Sequence, residues 1–271
     1  MININEDNLY FVGGAERSGT TMLQRVLAET EGFIPVVSES TFINAQLSLS
    51  KSKLENFDTK LVDYFISEDR LDKCYKQTAN VFLKEIFELH GEKKLALKFP
   101  YMTKHFSLLR KWYPDSKYIV IFRDPRDVIV SMRRIGMNHL ENNISSKLSR
   151  RCNDIRALAD FYNSFYDDIF RFPDKDKNRT IFVKYESIVA RENDEIEKIN
   201  NFVGPNTNIA LDKNPNIRHS FLKNHTAFHG EIDSRDVNAS RVGGYEKELD
   251  EKEIGIIERR CDEINKVYSY W

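Results

Sequence analysis

The amino-acid sequence predicts an α/β protein in three layers, with a central parallel sheet of about four or five strands covered by helices on both faces. Two observations lead there. Short apolar runs recur along the chain, and between them the apolar spacing switches to the three-and-four pattern of amphipathic helices. The runs are apolar throughout rather than alternating, as strands buried on both faces require.

The first run, Leu9-Tyr10-Phe11-Val12, ends in Gly13-Gly14, and from Thr20 the residues Met22, Leu23, Val26 and Leu27 form a helical stripe. This reads as strand, tight loop, helix. Leu95 to Lys98, Tyr118 to Phe122 and Thr180 to Lys184 are further buried strands, and Phe33 to Val37 is the candidate fifth. Helical patterns cover Asp72 to His90, Ser149 to Phe172 and Lys247 to Tyr268. In the second of these, Phe161, Tyr162, Phe165, Tyr166, Ile169 and Phe170 form a core stripe. The whole chain, 1–271, reads as a single domain, with the polar segment 204–241 as a mobile lid or acceptor-binding insertion.

Composition narrows the function classes. Forty-one basic against forty-two acidic residues give a net charge of −1, so no global field draws in a polyanion and nucleic acid is not expected as a partner. The three cysteines, Cys74, Cys152 and Cys261, fit neither a disulfide framework nor zinc-ligand spacing. No apolar run approaches the ~20 residues of a membrane span. A cytoplasmic protein with no membrane span and no metal is the expectation.

Two segments carry chemistry. Gly14-Ala15-Glu16-Arg17-Ser18-Gly19-Thr20-Thr21 joins the first strand to its helix, where successive backbone N–H groups and the helix N-terminus favour a bound phosphate. A loop that cleaves nucleoside triphosphates has Lys where this one has Thr20. Here Arg17, Ser18, Gly19, Thr20 and Thr21 are the candidate anion-binding residues. The second segment, Phe122-Arg123-Asp124-Pro125-Arg126-Asp127, also leaves a strand and opens a helix, with Asp124 as N-cap and Pro125 in the first turn. Arg123 stands at the strand's carboxyl end, where open α/β sheets bind ligands, and Ser131 lies two turns on. The same residues also read as surface ion pairs of Arg123 and Arg126 with Asp124 and Asp127. Two anion sites on one sheet point to a ligand phosphorylated at two separated places.

With both segments in view, the sequence resembles the PAPS-dependent sulfotransferases, enzymes of P-loop-type fold that use 3′-phosphoadenosine 5′-phosphosulfate (PAPS). Arg17-Ser18-Gly19-Thr20-Thr21 looks like their 5′-phosphosulfate loop, and Arg123 with Ser131 like their 3′-phosphate pair. Lys184-Tyr185-Glu186 resembles their strand ending in Tyr-Glu. Arg241-Val242-Gly243-Gly244-Tyr245 resembles their late Arg/Gly segment, so Arg241 and Gly243 join the candidate nucleotide site. In motif, Phe11 to Thr21 and the acidic Ser38-Glu39-Ser40-Thr41 are most similar to protein-tyrosine sulfotransferases, which use a Glu there as base. Glu16 departs from the pattern, which has Pro or a neutral residue at this place, and is expected to point outward or pair with Arg17.

The resemblance implies sulfuryl transfer to an acceptor hydroxyl, without a metal. Negative charge grows on the leaving phosphate oxygen, and a cation must meet it. Lys98 ends a strand at the sheet's carboxyl edge, as the catalytic Lys of similar sulfotransferases does, and Arg17 reaches the same region. The small-molecule enzymes of the family have a His two residues after that Lys; Pro100 stands here. Glu39 is the candidate base, a carboxylate partly shielded near the same edge, unless Glu39, Ser40 and Thr41 only begin a helix capped by Ser38. His105, His139, His219, His225 and His229 are its rivals. A P-loop kinase and a non-catalytic nucleotide-binding module are the competing functions. Carbohydrate, lipid, polyketide, small phenol and peptide tyrosine all remain as acceptors.

Overall fold

The computed structural model describes residues 2–55, 57–171, 178–204, 207–212, 239 and 241–271. Among these, β1 (Leu9–Gly13), β2 (Leu95–Lys98), β3 (Lys117–Phe122) and β4 (Thr180–Lys184) form one parallel sheet in the spatial order β2-β1-β3-β4. The chain leaves β1 for one edge and then crosses back to build the other side. Connections that diverge in this way open a crevice at the carboxyl ends of the inner strands, here β1 and β3.

Residues of alternating parity along each strand enter two separate cores. Leu9, Phe11, Leu95, Leu97, Tyr118, Val120 and Phe122 pack on one face. That face is covered by α2 (Thr41–Leu54), α5 (Glu68–His90), α6 (Phe106–Trp112), α7 (Pro125–Glu141), α8 (Ile155–Asn163) and α9 (Asp167–Phe170), after two single turns, α3 (Phe57–Lys60) and α4 (Val62–Phe65). Tyr10, Val12, Ala96, Ile119, Ile121 and Val183 face the other side. There α1 (Thr20–Glu29), α10 (Tyr185–Val189) and α11 (Asn193–Val203) complete the third layer. The chain ends in α12 (Glu251–Arg260) and α13 (Asp262–Tyr268), which pack on the first face through Ile257 and Ile264.

The expected fold class holds, with four strands rather than five. Phe33 makes a single bridge to Lys94, and the Ile34 N–H reaches the Lys94 carbonyl at 2.8 Å. Pro35 then offers no N–H to a ladder, and the segment leaves the sheet until Glu39 bridges Lys98. Two long helical patterns are interrupted. Ser149 to Phe172 contains α8 and α9, separated at Ser164, whose hydroxyl bonds back to the Phe161 carbonyl at 2.6 Å. The last pattern starts later than Lys247, at the Asp250/Glu253 capping box, and divides at Cys261. Most of segment 204–241 lies outside the described residues.

Candidate functional site

The phosphate loop is fixed from beneath. The Gly14 N–H donates to the Thr103 hydroxyl at 2.9 Å, and the Ala15 N–H to the Tyr166 hydroxyl at 3.1 Å. Tyr166 in turn bonds the Ile121 carbonyl at 3.1 Å and lies 3.2 Å from Ser18 Oγ. Gly19 has φ +96°, and a Cβ there would stand 2.5 Å from the Tyr185 ring, so only glycine fits. Gly19 is also the N-cap of α1 and brings no capping side chain. The first-turn N–H groups, beside Thr20 and Thr21, are thus left to an incoming anion.

The second segment folds as its sequence predicts at the helix start, where the Asp124 carboxylate accepts the Arg126 N–H at 2.9 Å and Pro125 occupies the first turn. Its arginines are not surface ion pairs. Arg126, 7% exposed, grips Asp124 through Nη2 at 2.7 Å and Glu258 through Nη1 at 2.9 Å, and donates to the Tyr270 carbonyl at 2.9 Å. Arg123, equally buried, lies over the Tyr185 ring at 4.4 Å and donates to the Arg241 carbonyl at 2.7 Å. Its Nε is buried without a hydrogen-bond partner among the described residues.

The structure brings the two segments together. Arg17, in the left-handed conformation at φ 70°, sends Nε to Ser131 Oγ at 3.2 Å, and its carbonyl lies 3.4 Å from Arg123 Nη1. Burial lowers the Arg17 pKa, and the nearby Arg241 and Arg123 lower it further. Like charge thus gathers around Arg17, a costly arrangement that an anionic ligand relieves. The unpartnered Arg123 Nε and the uncapped α1 fit a ligand with two anionic groups.

At the end of β2, Lys98 is fully buried, and its Nζ meets Glu39 Oε1 at 2.8 Å. The position of Glu39 follows from backbone pairing. It bridges Lys98 in parallel, the Ser40 N–H bonds the Lys98 carbonyl at 2.8 Å, and Gln24 holds the Ser38 carbonyl at 3.3 Å. The helix that follows starts at Thr41 with Ser40, not Ser38, in the N-cap position. Burial lowers the Lys98 pKa, Glu39 opposes that shift, and Arg17 adds to it. A cation, a carboxylate and the phosphate loop thus meet at adjacent strand ends.

Glu16 does not point outward. It accepts a hydrogen bond from Tyr101, and burial raises its pKa; Arg17 and Lys147 oppose the rise. Lys147 lies 4.1 Å from the Tyr101 ring, and Lys104 sits over Phe165 at 4.3 Å, its pKa lowered to about 8 chiefly by burial. Beyond them an open cavity of about 480 Å³ is lined by Lys147, Arg150, Arg151 and Ala157. Of the rival bases, His105 is held against Ser48 Oγ at 3.2 Å with its pKa pushed by burial to about 4, and His139 pairs with Ser146. His219, His225 and His229 lie outside the described residues.

Sequence reasoning did not find Thr103, and it did not foresee that Tyr166, Tyr185 and Asp127, each named for another reason, support this site. The apolar stripe correctly put Tyr166 in the core, but a buried hydroxyl announces no partner. Tyr185 and Glu186 do more than close a strand. Tyr185 lies against Gly19 and Arg123, while Glu186 Oε1 accepts the Asp124 N–H at 2.9 Å.

Residues 10–208 match the family model described as the sulfotransferase family. A putative protein-tyrosine sulfotransferase of Caenorhabditis briggsae is 25% identical over 204 residues, 73% of this chain and 66% of the relative. Protein-tyrosine sulfotransferase 1 of Homo sapiens is 30% identical over 128 residues, 46% of this chain and 33% of the relative. The chain therefore spans between one third and just under two thirds of the length of these relatives. Among solved structures, the sulfotransferase domain from the Synechococcus PCC 7002 olefin synthase aligns with a TM-score of 0.60 at 15% identity, covering 93% of both chains. The sulfotransferase domain from the curacin biosynthetic pathway aligns at 0.57 and 15% identity, covering 94% of this chain and 96% of that one. These likenesses show the shared fold.

Proposed function

The chain belongs to the sulfotransferase family, and on that premise we propose that it moves a sulfuryl group from PAPS to an acceptor hydroxyl by in-line displacement. The observation that carries this reading is the grouping at three neighbouring strand ends. An uncapped helix N-terminus stands at β1, the Arg17–Arg123–Ser131 cluster at β3, and the pair of buried Lys98 and half-buried Glu39 at β2. The loop N–H groups with Ser18, Gly19, Thr20 and Thr21 hold the donor's 5′ end. Arg123, Ser131, Arg241 and Gly243 border its 3′-phosphate.

The ion pair gives the transfer its charge balance. Glu39 takes the acceptor's proton as the acceptor oxygen bonds to sulfur and the bond from sulfur to the phosphate oxygen breaks. In gaining the proton Glu39 loses its hold on the Lys98 ammonium, just as the leaving phosphate oxygen acquires the charge that a cation stabilises. One buried cation thus changes partners, from carboxylate to phosphate, with no net charge brought into the site. Arg17, whose Nε is on Ser131, adds positive charge between the two ends of the donor.

Transfer of radiolabelled sulfate from PAPS, screened over carbohydrate, phenolic, lipid, polyketide and tyrosine-peptide hydroxyls with EDTA present, tests the reading. Turnover that survives the chelator, together with calorimetric binding of 3′-phosphoadenosine 5′-phosphate (PAP) and none of ATP, is expected. ATP turnover with strict Mg²⁺ dependence would overturn it.

A further inference from the structure

The junction of β3 and α7 grips the segment Arg241–Tyr245 through two residues, Arg123 before the helix and Asp127 in its first turn. Arg123 Nη2 donates to the Arg241 carbonyl at 2.7 Å. Asp127, 4% exposed, accepts the Gly243 N–H on Oδ2 at 2.9 Å and the Tyr245 N–H on Oδ1 at 3.1 Å. Both oxygens of one buried carboxylate are thereby given to the backbone of a single turn. At its far end the segment has further holds, the Tyr245 ring on Arg126 at 4.4 Å and, just beyond it, the Glu248 carbonyl on Arg133 at 2.7 Å. The near end, which carries Arg241 toward Arg17 and Arg123, is held by Arg123 and Asp127.

As an anion site alone, this arrangement is paradoxical. Asp127 Oδ2 lies 3.5 Å from Arg123 Nη2, so the carboxylate partly neutralises the guanidinium that a phosphate would use. It lowers anion affinity by direct electrostatics, and what it provides in return is the turn at Gly243. We propose that Asp127 is a positioning residue that clamps Arg241–Tyr245 over the nucleotide's phosphate and thereby slows nucleotide release. When a phosphate engages Arg123, Asp127 keeps its two backbone donors, so the clamp remains closed on the bound nucleotide. Departure of PAP requires those two hydrogen bonds to open, a local event of the kind that sets turnover in many transferases.

The inference rests on the donor reading above, and the sign of one effect separates clamp from charge. Asp127→Asn removes the negative charge beside Arg123 and leaves one oxygen for two N–H groups. A purely electrostatic neighbour predicts slower PAP release from this variant; a clamp predicts faster release. Gly243→Ala is the second variant. Its Cβ would meet nothing within 4 Å, but φ +73° strains any other residue, so the turn is loosened with no change of charge. PAP dissociation is followed by stopped-flow displacement, and protection of the Gly243 and Tyr245 amides by hydrogen exchange. Expected are roughly tenfold faster release from Asp127→Asn and a severalfold increase in Gly243→Ala, with lost protection at both amides. Unchanged or slower release from Asp127→Asn, or unchanged release from Gly243→Ala, overturns the clamp. Failure of the wild-type protein to bind PAP at all would instead strike the donor reading.

Discussion

Replacing Lys98 by methionine separates chemistry from architecture at this site. The ammonium is wholly buried and sits 2.8 Å from a Glu39 carboxylate whose side chain is 26% exposed. At an effective dielectric of ~20 their attraction is about 6 kcal/mol, and desolvating the ammonium cancels most of it. Methionine fills the same slot, and the abandoned Glu39 is near enough to water to hydrate. Net stability should therefore change by no more than about 1–2 kcal/mol. The leaving oxygen has no such substitute, and loss of its cation should lower kcat by about 10²–10³-fold. Single-turnover transfer from radiolabelled PAPS gives the chemical step, calorimetry the PAP affinity, and thermal melting the fold. The wild-type rate should also fall as pH rises toward the alkaline range, because neutral Lys98 cannot meet the developing charge. Burial puts that limb below the ordinary lysine value of 10.5. A kcat within about threefold of wild type, or PAP affinity falling in step with kcat, would refute the role given to Lys98.

Glu39→Gln keeps the shape and a hydrogen bond to Lys98 but cannot take a proton; kcat should drop by about 10²–10⁴-fold in the same assay, with PAP binding retained. Gly19→Ala drives a methyl group into the Tyr185 ring, so PAP affinity should fall and stability should drop by about 1–3 kcal/mol in denaturant melts. Glu16 offers a pH test. Its folded pKa lies above the unfolded value, so the folded state holds this proton more tightly and stability contributed below the unfolded pKa is lost as pH rises through the folded one. Glu16→Gln, which still accepts from Tyr101, should melt higher than wild type at neutral pH and lose the advantage in acid; equal melting curves across that range would count against the buried placement of Glu16.

Much of this could be read before any coordinates. The apolar runs located all four strands; β1, β2 and β3 are buried along nearly their whole length, as such runs require, whereas β4, expected to be buried as well, is an edge strand with Phe182 exposed and only Val183 buried. Asp124-Pro125 announced a helix start through local chemistry alone. Phe33 to Val37 misled for an equally local reason: its apolar character is real, but Pro35 cannot continue a ladder. Arg126 and Asp127 were illegible for a different reason. In sequence each sits among opposite charges and resembles a solvated surface. Their partners, Glu258, Tyr270, Gly243 and Tyr245, lie more than a hundred residues away, and no periodicity signals them. The Lys98–Glu39 pair falls between these cases. Each residue was singled out for its place at the sheet edge, but their contact comes from a backbone bridge.

The Tyr185 ring lies against Gly19 of the first loop and also carries the Arg123 guanidinium of the second segment. A rigid ring in contact with both segments works as a gauge block: with the Arg17–Arg123 and Arg17–Ser131 contacts, it sets how far apart they stand. On the proposed donor reading, the site then measures a ligand as well as attracting it. A molecule with a single phosphate reaches one pocket and leaves the other empty, whereas one with two anionic ends at the matching span engages both.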